Sequence, residues 1–147
     1  MSRSHSRLAT IIGLRQRQRD AAAASYQDAL AAHAKLQSQI DALRQEHAAQ
    51  LPVQATSSLG TVNTQRLIES HRYQLHLLQQ VEAIGSQMRL VAAECEKRRL
   101  NLVAKEQAVR ALEKLQDKQR AAAVALEIGR QQETLDQFAS FRHWQGT

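Results

Sequence analysis

From Leu77 to Leu112, apolar residues return every three or four positions without a break. Alternating steps of four and three visit Leu77, Val81, Ile84, Met88, Val91, Cys95, Arg98, Leu102, Lys105, Val109 and Leu112, of which nine of eleven are apolar. A mean spacing of about 3.5 residues holds one narrow stripe on one side of an α-helix, as in the seam of a coiled coil. One helix cannot bury such a stripe by itself. The fold must bring a second helix against it.

A matching stripe lies earlier in the chain. Leu8, Ile12, Arg15, Arg19, Ala22, Tyr26, Ala29, His33, Leu36, Ile40, Leu43 and His47 repeat the spacing, and eight of these twelve are apolar. With aromatics at 3%, one Pro and five Gly in 147 residues, the composition suits long helices better than a globular core. The spacing predicts a first helix over about residues 8–50, capped by Ser4 or Ser6, and a second over about 64–139, capped by Thr61 or Asn63. At about 1.5 Å per residue these are roughly 65 Å and 110 Å long. Leu51-Pro52 is expected to end the first helix, because proline lacks an N–H and disfavours helical backbone before it. The uncharged linker 51–63, with Ser57-Ser58-Leu59-Gly60-Thr61, reads as a turn.

The expected fold is therefore all-α: a single domain forming a long antiparallel two-helix coiled-coil hairpin with an overhanging C-terminal helix. A turn centred near Ser57 sets residue i of the first helix opposite about residue 114 − i of the second. Leu36 then lies near Leu77 and Leu78, Tyr26 near Met88, and Leu8 near Glu106 and Val109. The first helix ends before the second does, leaving an overhang after about Leu115. That overhang carries Leu126, Ile128, Leu135, Phe138, Phe141 and Trp144, with Ile128, Leu135 and Phe138 on a different row from the main stripe. Such residues either fray or fold back, or they meet a partner. The same register sets Arg15 and Arg19 opposite Arg98. Their stems must then reach outward, toward Asp20 and Glu94, or the segment must meet an acidic surface.

The chain has a formal charge of +6 and a pI of about 10.1. The excess is +3 over residues 1–50 and +3 over 64–147, with both signs interspersed. This pattern reads as a solvated face, with a basic docking surface as the sharper alternative. The single Cys excludes an internal disulfide and fits a reducing compartment, and Cys95 falls on the seam as a small hydrophobe. No apolar run approaches a membrane span, so a soluble cytoplasmic protein is expected.

The six His are scattered, and His71 and His76 stand five apart, off a shared helical face. No Cys pair, phosphate loop or Ser/His/Asp set is present, and a two-helix hairpin has no pocket to exclude water. No enzyme activity, metal, cofactor or small-molecule substrate is expected. A nucleic-acid-binding scaffold, testable by salt-dependent DNA affinity, is disfavoured by the interspersed acids and scarce aromatics. A homodimeric spacer is the third class, and ultracentrifugation separates it from a hairpin expected to be monomeric alone.

The end of the second helix carries a more specific pattern. Val109-Arg-Ala-Leu-Glu-Lys-Leu115 leads through Lys118, Gln119 and Arg120 to Gly129-Arg-Gln-Gln-Glu-Thr-Leu-Asp-Gln-Phe-Ala139. This resembles the FliJ family of flagellar type III export proteins, with a leucine-rich turn, basic and Gln residues, then Arg130, Leu135, Asp136 and Ala139 in the family's places. Gln137 departs, standing where an acid is common. Leu8-Ala-Thr-Ile-Ile-Gly-Leu14-Arg15 is similar to the family's start. Tyr73, His76 and Leu77 resemble a Tyr-x-x-Phe-Leu pattern, with His for the aromatic.

The resemblance implies a stalk-like antiparallel coiled coil seated in the hexameric flagellar export ATPase, linking it to the membrane export gate and handling export chaperones. It implies an ATPase-side surface of Leu8, Ile12, Arg15, Arg19, Leu126, Ile128, Arg130, Leu135, Asp136 and Phe138. On the gate side, in the tip half, it implies Leu36, Ile40, Leu43, Tyr73, His76 and Leu77. The location implied is cytoplasmic, peripheral to the inner membrane at the flagellar base. The injectisome stalk protein of virulence secretion systems shares this plan and is the nearest alternative.

Overall fold

The computed structural model describes residues 2–57 and 64–146. Two α-helices account for nearly all of them: α1, Ser2–Ser57, and α2, Thr64–Gln145. No strand occurs among the described residues. The two helices pack against each other as an antiparallel hairpin, and their contacts divide the chain into two units. One unit joins Met1–Asp20 to Ala104–Thr147, and the other is Ala21–Val103.

The stripes become the seam. All eleven positions from Leu77 to Leu112 are buried or half-buried, as are eleven of the twelve on α1, with Arg15 the exception. The 3.5-residue rhythm also extends past both ends of the α2 stripe, through Leu67, Ser70 and Gln74 before it and Gln116 and Gln119 after it. Leu115, expected to mark a break, is exposed while the seam continues through Gln116. The core is thin: Leu8, Ile12, Ala22, Ala29, Ile40, Leu77 and Val109 are the buried apolar residues described.

Both helices run beyond their expected ends. α1 starts at Ser2, so Ser4 and Ser6 lie inside it, and the Ser6 carbonyl accepts a 2.9 Å hydrogen bond from Thr10 Oγ1. α1 also continues through Pro52 to Ser57. Proline there removes one ladder hydrogen bond and costs about 3 kcal/mol, but it does not forbid helix when packing holds the turn before it. His47 and Gln50 are still half-buried just before it. α2 extends past Ala139 to Gln145, with Arg142 and His143 in the last turn, where positive charge suits the helix's negative end. The expected caps Thr61 and Asn63, and the turn after Ser57, lie outside the described residues.

The longer α1 changes the register. In the first unit, His5, Leu8 and Ala9 share a groove with Gln116, Gln119 and Arg120. In the second, Gln39, Leu43 and Glu46 share one with Gln80, Ala83 and Ile84, and Ile40 lies beside Gly85. Residue i therefore faces about residue 124 − i in both units, rather than 114 − i, a slip of about ten residues or three helical turns. Leu8 meets the Gln116 layer instead of Glu106 and Val109. Tyr26 falls beside Arg98 rather than Met88, and Leu36 beside Met88 rather than Leu77.

Candidate interaction surfaces

The corrected register resolves the basic seam. Arg98 is half-buried beside Ser25, whose carbonyl accepts from Arg98 Nη1 at 2.8 Å, while Arg98 Nε donates to Glu94 Oε1 at 3.0 Å. Arg19 turns to Asp20, with Nη2 to Oδ1 at 3.0 Å, and Arg15 Nη1 reaches Gln18 Oε1 at 3.0 Å. In each unit the arginine stems thus reach outward to local acceptors. Lys105 is half-buried and shares its register layer with Arg19.

In the unit Met1–Asp20 with Ala104–Thr147, the fold concentrates charge. This unit carries twelve basic and seven acidic side chains, net +5, whereas Ala21–Val103 carries eight and seven, net +1. Within it, the paired stretch of residues 2–20 and 104–120 is net +6, and residues 121–146 are net −1. Read along the chain the excess is even. Folding antiparallel brings the acid-free Arg3-to-Arg19 run beside Lys105, Arg110, Lys114, Lys118 and Arg120. A potential of this sign attracts acidic surfaces over about one Debye length.

Beyond Gln119 every described α2 residue is exposed, which puts the start of the overhang near Arg120 rather than Leu115. Val124, Leu126, Ile128, Leu135, Phe138, Phe141 and Trp144 are large apolar side chains in contact with water there, Leu135 at 66% and Phe138 at 59% exposure. Arg142 sits over the Phe138 ring, with Cζ 5.6 Å from its centroid. Arg130 and Asp136 are exposed on the same segment. Leu8 and Ile12, in contrast, turn their apolar surface into the seam and do not present it outward.

In the unit Ala21–Val103, Ile40 and Leu77 are likewise buried, and Leu36 and Leu43 are half-buried. Tyr73 and His76 are exposed. The Tyr73 hydroxyl donates to Glu46 Oε1 across the pair, and His76 Nε2 lies 3.2 Å from Gln80 Nε2. Exposed Leu51, Ile68, Leu75 and Leu78 flank them. Sequence analysis missed Ile68 and Leu75, although Ile68, His71, Leu75 and Leu78 form a second three-four row one position beside the seam row. Among the described residues no His, Cys, Asp or Glu group is arranged to hold a metal, and no helix is long and apolar enough to cross a membrane.

A family model described as the flagellar FliJ protein matches residues 4–147. The chain belongs to the FliJ family. Curated proteins and solved structures gave no match. FliJ membership places the chain in the flagellar export apparatus, in a family of structural and coupling components rather than enzymes. The helical hairpin agrees with what the resemblance implies, and the flagellar match takes precedence over the injectisome alternative.

Proposed function

We propose that this FliJ-family chain is the stalk and coupling protein of flagellar type III export. The end of the hairpin that carries α1's start and the α2 overhang seats in the hexameric export ATPase. The ATP chemistry belongs to that partner, and this chain biases its assembly and ring state. The tip half, through Tyr73, His76 and the exposed Ile68, Leu75 and Leu78, contacts the membrane export gate. This holds the protein peripherally at the cytoplasmic face of the inner membrane, where it also meets export chaperones.

The observation that supports this reading is the overhang. An apolar helix segment left in water, next to a paired stretch of net +6, suits a ring entrance that excludes water and offers acidic groups. Leu126, Ile128, Arg130, Leu135, Asp136 and Phe138, with Arg15 and Arg19, are the residues available for that contact. Leu8 and Ile12 support it from inside the seam.

The test is stimulation and hexamer assembly of the purified export ATPase by the full chain and by a chain ending at Arg120. The shortened chain keeps every seam layer, so it should retain its helicity per residue while losing both stimulation and assembly. Full stimulation by the folded, shortened chain would put the docking surface elsewhere, first on the Arg15-to-Arg19 turn.

A further inference from the structure

The charges of the paired stretch, residues 2–20 and 104–120, are sorted by side. A two-helix seam has two flanks, and the grooves show which residues meet on each. Ala9, just after Leu8, shares one groove with Arg120, just after Gln119. Within the unit Ala21–Val103 the other flank obeys the matching rule: Gln39, just before Ile40, shares a groove with Gln80, just before Val81. Residues that follow a seam position therefore gather on one flank, and residues that precede one gather on the other. All four acids of the paired stretch follow a seam position: Asp20, Glu106, Glu113 and Asp117.

The preceding flank carries no acid. Its centre is apolar and in contact with water, with Ile11, Leu14 and Leu115 at 44%, 48% and 45% exposure. Arg7 and Lys118 lie on the same flank, and Arg3, Arg17 and Lys114 stand on the outermost rows at its edges. All five cations are exposed, and none is ion-paired among the described residues.

We propose that this face lies against an anionic lipid surface, with its apolar centre at the headgroup boundary and its five cations on lipid phosphates. From Arg3 to Arg17 it runs along about 21 Å of α1, with α2 alongside. Long Arg and Lys stems let the charges stay among headgroups while Ile11, Leu14 and Leu115 sit deeper. A protein partner is selected by charges of both signs, which fix register and exclude wrong partners. A face of one sign fixes no register, which suits a fluid, uniformly negative layer. Nucleic acid would engage the cations and leave the apolar centre in water. Arg15 and Arg19 stand outside this face, and neither the ATPase nor the gate contact is required for it.

Flotation of the full chain at about 0.1 M salt compares vesicles of phosphatidylcholine alone with vesicles carrying about 30% phosphatidylglycerol. The protein should float with the anionic vesicles only, and more salt should release it. Arg7→Gln with Lys118→Gln should weaken partitioning about 25-fold, or about fivefold per cation. Arg110→Gln with Arg120→Gln removes the same net charge from the acid-bearing flank, beyond about one Debye length from the lipid, and should weaken it less than about threefold. Leu14→Gln, which leaves the charge unchanged, should weaken it at least about threefold. Circular dichroism checks that all variants remain helical, as exposed side chains outside the seam should allow.

A chain that does not float with anionic vesicles overturns the proposal. Equal losses from the two charge pairs also overturn it, because net charge rather than this face would then act. So does binding that Leu14→Gln leaves unchanged, the mark of a face that holds any polyanion, duplex DNA included.

Discussion

Leu77 and Leu78 are chemically identical neighbours with opposite environments: Leu77 is 2% exposed and Leu78 is 48% exposed. Replacing each in turn by Ala reads the rotation of α2 directly. Full burial of a Leu is worth about 1.5–3 kcal/mol, and truncating one in a core costs about 2–5 kcal/mol once the cavity is included. A seam between only two helices can close part of that cavity and admits water at its edges, so Leu77→Ala should cost about 2–3 kcal/mol. For a chain of this size that lowers the melting midpoint by about 5–10 °C. Leu78→Ala removes surface that water already reaches, and should cost about 0.5 kcal/mol or less. Thermal melts followed by far-ultraviolet circular dichroism measure both, on proteins with equal starting helicity. Equal losses would mean that α2 has no fixed face toward α1, and a larger loss at Leu78 would rotate the seam by one residue.

Three further substitutions probe other parts of the pair. A Cβ added at Gly85 meets nothing within 4 Å, so Gly85→Ala should stabilise the protein by about 1 kcal/mol through helix propensity, raising the melting midpoint by about 3 °C. Arg98→Ala removes the hydrogen bond to the Ser25 carbonyl and the packing of the stem. A loss of about 1–2 kcal/mol in denaturant unfolding is expected, in contrast to the gain that mutual repulsion between seam arginines would predict. The Glu96 carboxyl is held below its usual range by the hydrogen bond from Arg99 and then by that residue's charge, so any stability it lends is present above the usual carboxylate range and lost as pH falls through its lowered pKa. Because the pair is exposed, Glu96→Gln should lower the melt barely at neutral pH and not at all in strong acid.

The fold was legible because one signal dominates it. The three-four spacing survives two Arg or Lys substitutions on the α2 stripe and still marks every seam position from Leu77 to Leu112. Helix ends were less legible. A proline deletes one hydrogen bond, and whether that stops a helix depends on the packing around it, as the half-buried His47 and Gln50 just before Pro52 show. The register followed from the assumed helix end, so it inherited the error and moved by about three turns.

The exposure of the candidate surface residues was legible in part. Exposed Ile128, Leu135 and Phe138 were recognisable as off the main row, and Tyr73 and His76 emerge at the surface. Leu8, Ile12, Ile40 and Leu77 lie in the seam, where their apolar surface is covered by the facing helix, so a partner reaches them only through the residues around them. The +6 concentration was invisible along the chain, because it arises only when residues 2–20 and 104–120 come together. The row of Ile68, Leu75 and Leu78 is hard to see in the sequence because His71 interrupts it and it lies one position beside the seam row.

The coupling role rests on which part of the hairpin meets the export ATPase. A photo-reactive phenylalanine analogue introduced at Phe138, and separately at Leu78, tests this when each full-length protein is irradiated with the purified ATPase. The stalk reading predicts cross-links to the ATPase from position 138 and none from position 78. Cross-links from position 78, with none from 138, would contradict it.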